Sequence, residues 1–120
     1  MEDNSKVFLG TEMKLNIHIE PIESNARSIT MDDYDFDVIV YCNPKKQLEA
    51  SKKGVGDNPT LVNMKRLNES NYLVLIDTNV IETGIIKCKI TAYIPDSHFT
   101  DGYRTEVSIK DTGIEVVKSL

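Results

Sequence analysis

The sequence predicts an all-β protein, and three features of its 120 residues support that prediction. Stretches in which apolar and polar residues alternate recur along the chain, and a period of two residues is typical of a strand with one buried face. Turn-forming residues separate these stretches at intervals of roughly 8 to 12 residues. No stretch of helical length has the apolar period of an α-helix. We therefore expect antiparallel strands arranged as a β-sandwich.

The N-terminal half contains two clearly alternating stretches, residues 13–20 and 34–42, which predict two strands. Pro21 ends the first of them because proline has no backbone N–H to donate to a ladder, and an Asn-Pro pair ends the second. A short return strand at residues 47–50 would follow. The side chains expected to face inward are Met13, Leu15, Ile17, Ile19, Phe36, Val38, Val40 and Cys42.

The middle of the chain predicts an exposed loop, two further strands and a tight connection. Residues 52–59 contain two glycines and a proline, and we expect the lysine pair in this loop and the pair before it to be solvated. Residues 60–67 predict a weaker strand and residues 71–78 a strong one. For the connection at residues 79–84, one helical turn closed by Gly84 is an option.

The C-terminal part predicts the longest strand, residues 85–94, and two last strands, residues 104–110 and 114–120, around an Asp-Thr-Gly turn. About seven to eight strands in all favour an immunoglobulin-like topology, and a small β-barrel is the alternative. Residues 13–120 then form a single β-sandwich domain, and residues 1–12 are either its first strand or a docking arm. In the longest strand we expect Ile86, Cys88, Ile90, Ala92 and Ile94 to face inward. In the strand at residues 71–78, Tyr72, Val74 and Ile76 would share one face, with Leu73 and Leu75 on the other.

Composition and charge argue against several classes of function. The net charge of −5 disfavours a protein that binds the nucleic-acid backbone, because such domains are usually basic. The longest apolar runs are too short to cross a membrane, and the first ten residues lack the layout of a secretion signal. We therefore expect synthesis in a cytoplasm. Reducing conditions there favour free, buried Cys42 and Cys88 over a bridge between the two sheets.

No constellation of residues predicts catalysis or metal binding. The acidic residues of "MDDYDFD", which include Asp32 and Asp33, would lie along an extended chain rather than converge on a calcium ion. His18 falls on the polar face of its strand, and His98 stands near two aspartates at spacings that match no metal signature. No nucleophile elbow or phosphate-binding loop occurs. We expect no catalytic residues, no metal site and no cofactor.

The polar stretch "IPDSHFTDGYRTEV" predicts a rigid turn before the next strand. An Asp-Gly pair at residues 101–102 is a strong turn signal because glycine adopts positive φ freely. Arg104 could bind Asp96 or Asp101 and tie the turn to the strand. Phe99 and Tyr103 would either cover the end of the core or anchor an interface, since rigidly held loops commonly carry binding residues.

The ordered combination "NYLVLIDT", "ETGIIKCKITAYIPD", "FTDGYRTEV" and "TGIEVV" resembles the immunoglobulin-like modules in virion proteins of phages that infect Bacteroides-type bacteria, including the crAss-like group. "KLNIHIEP" and "DYDFDVIVY" also fit this pattern. More distantly, the sequence resembles the N-terminal domain of phage baseplate upper proteins.

The resemblance implies a non-enzymatic virion protein, either a capsid auxiliary or a head-fibre protein that docks on the major capsid protein. Self-association is a further option. The alternatives are a tail or baseplate adaptor and a soluble carbohydrate- or protein-binding β-sandwich. It would be located in the virion, bound to capsid or other virion proteins and not to nucleic acid or a membrane. The candidate interface residues are Val7, Phe8, Leu9, His98, Phe99, Tyr103 and Arg104.

Overall fold

The computed structural model describes residues 5–18, 35–54, 59–68 and 71–118. These residues form nine strands and one helical turn. In chain order they are β1 Ser5–Phe8, β2 Glu12–His18, β3 Asp35–Asn43, β4 Lys46–Lys53, β5 Thr60–Val62, β6 Met64–Arg66, β7 Asn71–Asp77, α1 Thr78–Ile81, β8 Gly84–Pro95 and β9 Tyr103–Val117. The prediction of an all-β protein is therefore confirmed, with nine strands in place of seven to eight.

The strands form two sheets. The larger sheet has the order β1-β9-β8-β3-β4-β5, and the smaller has the order β2-β7-β6. Within the described ranges every strand pairing is antiparallel except that of β1 with β9, which is parallel. This parallel pair joins the first and last described strands, so it closes one edge of the larger sheet at the end of β9.

One apolar core lies between the two sheets. Phe36 of β3 and Tyr72 of β7 meet there edge to face, with ring centroids 5.1 Å apart, which is a favoured geometry for aromatic pairs. The predicted inward faces of β3 and β8 are confirmed, apart from Cys42, which is half-buried. In β7 the face that carries Tyr72, Val74 and Ile76 is the buried one. The buried apolar side chains on these three strands are Phe36, Val38, Val40, Tyr72, Val74, Ile76, Ile86, Cys88, Ile90, Ala92 and Ile94.

The weaker strand predicted at residues 60–67 is two short strands, because Asn63 switches the chain from one sheet to the other. Asn63 has a φ of 54°, a conformation that asparagine tolerates better than most residues. Its side-chain amide donates to the Glu49 carbonyl at 2.8 Å, and its own carbonyl accepts from the Leu75 N–H at 2.9 Å. Asn63 therefore connects β4 of the larger sheet to β7 of the smaller one.

The predicted return strand is longer than expected, and its length buries Lys52. β4 covers Lys46–Lys53, and its alternation carries Lys52 to the same face as the buried Ala50. Lys52 lies opposite Phe36 in the ladder, and its ammonium donates to the Gly54 carbonyl at 3.0 Å. The expectation that Lys52 is solvated is therefore wrong. The strand register decides which face the side chain takes, and a backbone carbonyl compensates part of the cost of burying the charge.

The two last strands predicted at the C-terminus are a single strand, β9. The Asp-Thr-Gly sequence forms a bulge in it instead of a turn, because the pairing with β8 shifts between Lys87↔Asp111 and Ile85↔Glu115. Thr112 stabilises this bulge by donating its hydroxyl to the Ile86 carbonyl at 2.8 Å. The chain therefore continues along the same edge, and β9 reaches 15 residues.

The predicted helical turn is confirmed as α1, which begins after the N-cap Asp77. The Asp77 side chain accepts from the Asn79 N–H at 3.0 Å, as an N-cap carboxylate should. The turn ends at Glu82, which has a φ of 64°, and not at Gly84. Gly84 opens β8 with a φ of 131°, where it lies against Cys42.

Both cysteines are free thiols in this structure. They lie on the neighbouring strands β3 and β8 of the same sheet, so the alternative of a bridge between the two sheets is wrong. Burial raises the pKa of the Cys88 thiol to about 11, and it also raises the pKa of Cys42. The predictions for Ile19, Pro21 and the acidic residues 32–33 lie outside the described residues.

Candidate interaction surface

The structure separates the seven predicted interface residues into two groups at opposite ends of β9. Val7, Phe8 and Leu9 lie in or just after β1, which pairs with Ile114–Val117 at the end of β9. The other four, His98, Phe99, Tyr103 and Arg104, lie in the turn before β9 or at its start. At about 3.3 Å per residue the two groups are roughly 40 Å apart, so they cannot form one site.

The N-terminal group contributes mainly to the fold. Val7 and Leu9 pack against the core, and the Leu9 N–H donates to the Val117 carbonyl at 2.8 Å. Phe8 points the other way, with 58% of its surface exposed. One exposed phenylalanine offers a small contact area compared with the several exposed apolar side chains towards the other end of β9.

The turn between β8 and β9 is rigid because its own backbone and Asp96 hold it together. The Asp96 N–H donates to the Gly102 carbonyl at 2.9 Å, and the Gly102 N–H donates to the Phe99 carbonyl at 2.9 Å. Gly102 has a φ of 92°, which explains why glycine suits this position. The Asp96 carboxylate also accepts from the His98 N–H at 3.0 Å. Such a turn presents its side chains in a fixed arrangement.

Arg104 binds the turn to the strand, and Asp96 is its partner there. Its guanidinium lies 3.8 Å from the Asp96 carboxylate and 3.2 Å from that of Glu106. The His98 ring also lies 3.3 Å from Asp96, but its side chain is 92% exposed. In the part of the chain that the structure describes, no three His, Cys, Asp or Glu side chains converge as a metal site would require. These charges therefore order the turn.

Phe99 and Tyr103 lie outside the core cluster. They are 50% and 49% exposed, and neither packs among the buried side chains. Covering the core is therefore a poor explanation for them, since half of each surface remains in water. Large exposed aromatic side chains on a rigid turn are instead typical of interface anchors.

Val107 and Ile109 extend this exposed surface along β9, although neither is among the seven predicted interface residues. They are 55% and 60% exposed. Both point away from the core because β9 pairs with β8 in a register that places these apolar residues on the outer face of the sheet. Polar residues of β9 lie on the core side opposite buried residues of β8, in the pairs Arg104↔Ile94, Glu106↔Ala92 and Ser108↔Ile90.

We call Phe99, Tyr103, Val107 and Ile109 the docking surface. Next to it, on the outer face of the same sheet, lies a polar group. The Tyr93 hydroxyl donates to Asp37 at 3.0 Å, and Lys53 lies 3.3 Å from the same carboxylate. The hydrogen bond to Asp37 is the main reason why the pKa of Tyr93 is raised. An apolar strip beside a polar region is the usual composition of a protein interface.

Comparisons with protein-family models, curated proteins and solved structures give no match. The function must therefore be argued from the geometry of the chain itself. Among the described residues there is also no helix long and apolar enough to span a membrane.

A concave region lies between β2, β4, β7 and α1 and has a volume of about 940 Å³. Its lining combines the apolar Leu75 and Val80 with acidic side chains such as Glu12, Glu49 and Asp77. None of the residues that line it is aromatic. Small-molecule and sugar sites usually present aromatic or apolar walls with a few convergent polar groups, so this groove is a weaker candidate than the docking surface.

Proposed function

We propose that this protein is a non-enzymatic virion component that docks on a larger protein shell, most simply the major capsid protein, through the docking surface. Its module would be an immunoglobulin-like sandwich. The exposed apolar strip on the β8–β9 hairpin is the observation on which the proposal rests. The sequence resemblance to phage virion modules is the reason for choosing a capsid protein as the partner.

The strand order supports an immunoglobulin-like arrangement. Variable-type immunoglobulin domains have one sheet of strands G, F, C, C′ and C″ and a second sheet that contains B, E and D. Here β9, β8, β3, β4 and β5 follow the first order, and β2, β7 and β6 follow the second. The hairpin that carries the docking surface corresponds to strands F and G, whose connecting loop belongs to the binding end of variable domains.

The physical requirements of docking also favour the hairpin. Apolar side chains exposed at this level cost solubility unless a partner covers them, and contiguous apolar patches commonly mark interaction sites. Four such side chains lie on one hairpin, whose turn is fixed by the backbone hydrogen bonds of Asp96 and Gly102. A rigid turn loses little conformational entropy on binding, so modest contact area can give useful affinity. Many copies on a lattice would add to this by multivalency.

The competing carbohydrate-binding function has less support. Phe99 and Tyr103 are exposed aromatic residues, but neither lines the groove beside β2. The groove beside β2 is concave, but it has no aromatic lining. A sugar site would need both properties in one place.

The proposal is tested first by composition and then by binding. Mass spectrometry of purified virions of the virus that encodes this protein should detect the chain at a copy number that matches a shell lattice. The double variant Phe99→Ala, Tyr103→Ala should then bind particles that lack the protein about 10 to 100 times more weakly than the parent chain. Its melting temperature should change by no more than about 2 °C, since both side chains are half exposed.

Phe8→Ala is the matched control. Phe8 is exposed to a similar extent but lies at the other end of β9, so this variant should bind particles like the parent. Absence of the chain from purified virions would contradict the proposed location. Equal binding by the double variant and the Phe8 variant would contradict the docking surface.

A further inference from the structure

We propose that two copies of this chain pair edge to edge through residues 103–113 of β9, in antiparallel register about a two-fold axis at Ser108. This inference goes beyond the proposed function because it uses the backbone edge of β9 and a second copy of the chain, whereas docking uses side chains of the outer face and a different protein. Four observations lead to it: an open edge, its hydrogen-bonding direction, its symmetry and its charge pattern.

Within the described part of the chain, the edge of β9 is open over most of its length. β8 covers one side of β9, and β1 covers the other side only from Ile114 onwards. Among the described residues, no strand pairs with residues 103–113 on that second side. An uncovered edge of this length is a template for another strand, and proteins usually protect such edges when they are monomeric.

The hydrogen-bonding groups of this edge point outward at alternate residues. The Asp96 N–H donates to the Gly102 carbonyl at 2.9 Å, which makes these two a hydrogen-bonded pair at the start of the hairpin. In an antiparallel ladder such pairs alternate with pairs that exchange no bonds. Pro95, which has no N–H, lies opposite Tyr103, as this alternation requires. The N–H and C=O groups of Thr105, Val107 and Ile109 therefore point away from β8 towards the open side.

The open edge has its midpoint at Ser108, since it begins at residue 103 and ends at residue 113. Antiparallel pairing of this edge with the same edge of a second copy uses its full length only when Ser108 lies opposite itself. In that register Val107 lies opposite Ile109 of the second copy. Both residues have outward-pointing backbone groups, so they form a hydrogen-bonded pair on each side of the axis.

The charges favour the same register. With Ser108 on the axis, Glu106 lies opposite Lys110 of the second copy, and the symmetry repeats this pair. A shift that puts Val107 on the axis brings Arg104 opposite Lys110. A shift that puts Glu106 on the axis brings two glutamates together. Opposite charges across a pair of strands are stabilising and like charges are destabilising, so complementarity selects the register that also uses the whole edge.

Sedimentation equilibrium of the full chain is the test, supported by amide hydrogen exchange. We expect a monomer–dimer equilibrium with a dissociation constant on the order of 10 µM, because an interface of one strand pair is small. Exchange of the Thr105, Val107 and Ile109 amides should slow as the dimer fills. Val107→Pro removes an outward N–H and should raise the dissociation constant at least about tenfold, whereas Val107→Thr keeps that N–H and should leave it nearly unchanged.

A charge exchange tests the register independently of any effect of proline on folding. Lys110→Glu should weaken the dimer about tenfold, since two attractive pairs become repulsive, and adding Glu106→Lys to it should restore the parent value. Phe99→Ala should leave the dissociation constant unchanged, because Phe99 lies outside the paired edge. A chain that stays monomeric up to about 1 mM, or a dimer that Lys110→Glu and Val107→Pro do not weaken, would overturn the proposal.

Discussion

Substitution of Gly84 by alanine should destabilise the protein strongly, because two separate constraints meet at this residue. Gly84 has a φ of 131°, which only glycine adopts without strain. A Cβ atom at this position would lie 2.9 Å from the Cβ atom of Cys42, closer than carbon atoms approach in folded proteins. Cys42 cannot move away freely, since its Sγ donates to the Gly84 carbonyl at 3.3 Å and its strand is paired on both sides.

The expected cost is the sum of the two effects. Backbone strain in this region of φ contributes about 1–3 kcal/mol. Overpacking against the Cβ atom of Cys42 adds about 1–3 kcal/mol. In a domain of this size 1 kcal/mol lowers the melting temperature by roughly 4 °C. Gly84→Ala should therefore lower it by about 10 to 20 °C.

Gly102→Ala separates the two effects. Gly102 has a φ of 92°, but an added Cβ atom would meet no other atom within 4 Å. This control should lose only the strain contribution, about 1–2 kcal/mol, and melt about 4 to 8 °C below the parent. Differential scanning calorimetry of the three proteins would measure both losses. If Gly84→Ala melts no lower than Gly102→Ala, the contact with Cys42 has no energetic effect and the argument is wrong.

Two further predictions concern buried polar groups. The folded-state pKa of Cys88 is about 11, above its ordinary 9.0, so folding favours the neutral thiol. The neutral Cys88 thiol should contribute about 2–3 kcal/mol to the free energy of unfolding, complete below pH 9 and lost as the pH rises through 11. Over that range the unfolding free energy of Cys88→Ala should decline less steeply than that of the parent, and an equal slope would contradict this. Thr78→Val should cost about 1–3 kcal/mol in urea unfolding, because the buried Thr78 hydroxyl accepts from the Gly10 N–H and donates to the Thr11 carbonyl. The exposed Thr60→Val is its control, and equal midpoints for the two variants would refute the role of the hydroxyl.

The sequence predicted the strands that have one face in the core. In β3 and β8 apolar residues largely alternate with polar ones, and hydrophobic burial then determines which face turns inward. Phe36 and Ile90 are buried as expected. Local patterning is sufficient for such strands because the partner across the core only has to be apolar.

The predictions failed where tertiary pairing overrides the local pattern. Lys52 is buried because β4 continues past the expected turn and keeps its register with β3. Asn63 divides one predicted strand between two sheets through a single positive φ, which composition does not reveal. The Asp-Thr-Gly sequence at residues 111–113 is typical of a turn, but the pairing of β8 with both sides of it makes it a bulge. Each of these depends on contacts between residues distant in sequence.

The candidate surface illustrates the same limit. Phe99 and Tyr103 could be selected from the sequence because aromatic residues in a predicted turn are conspicuous. Val107 and Ile109 could not be selected by their pattern alone, since alternating apolar residues usually indicate a core-facing side. It is the pairing of β9 with β8, in which Val107 lies opposite Thr91, that places them on the outer face of the sheet.

The two proposals for β9 depend on different atoms of one strand, and this gives them a joint consequence. Edge pairing would use backbone groups and leave the outward side chains free. It would also bring Val107 next to Ile109 of the second copy, so that two docking surfaces form one apolar strip across a continuous sheet. A dimer would then present two linked sites to a repeating shell, and the second contact would form at a high effective concentration. Binding to particles should accordingly weaken when Lys110→Glu separates the copies, even though the outward face of each copy is unchanged.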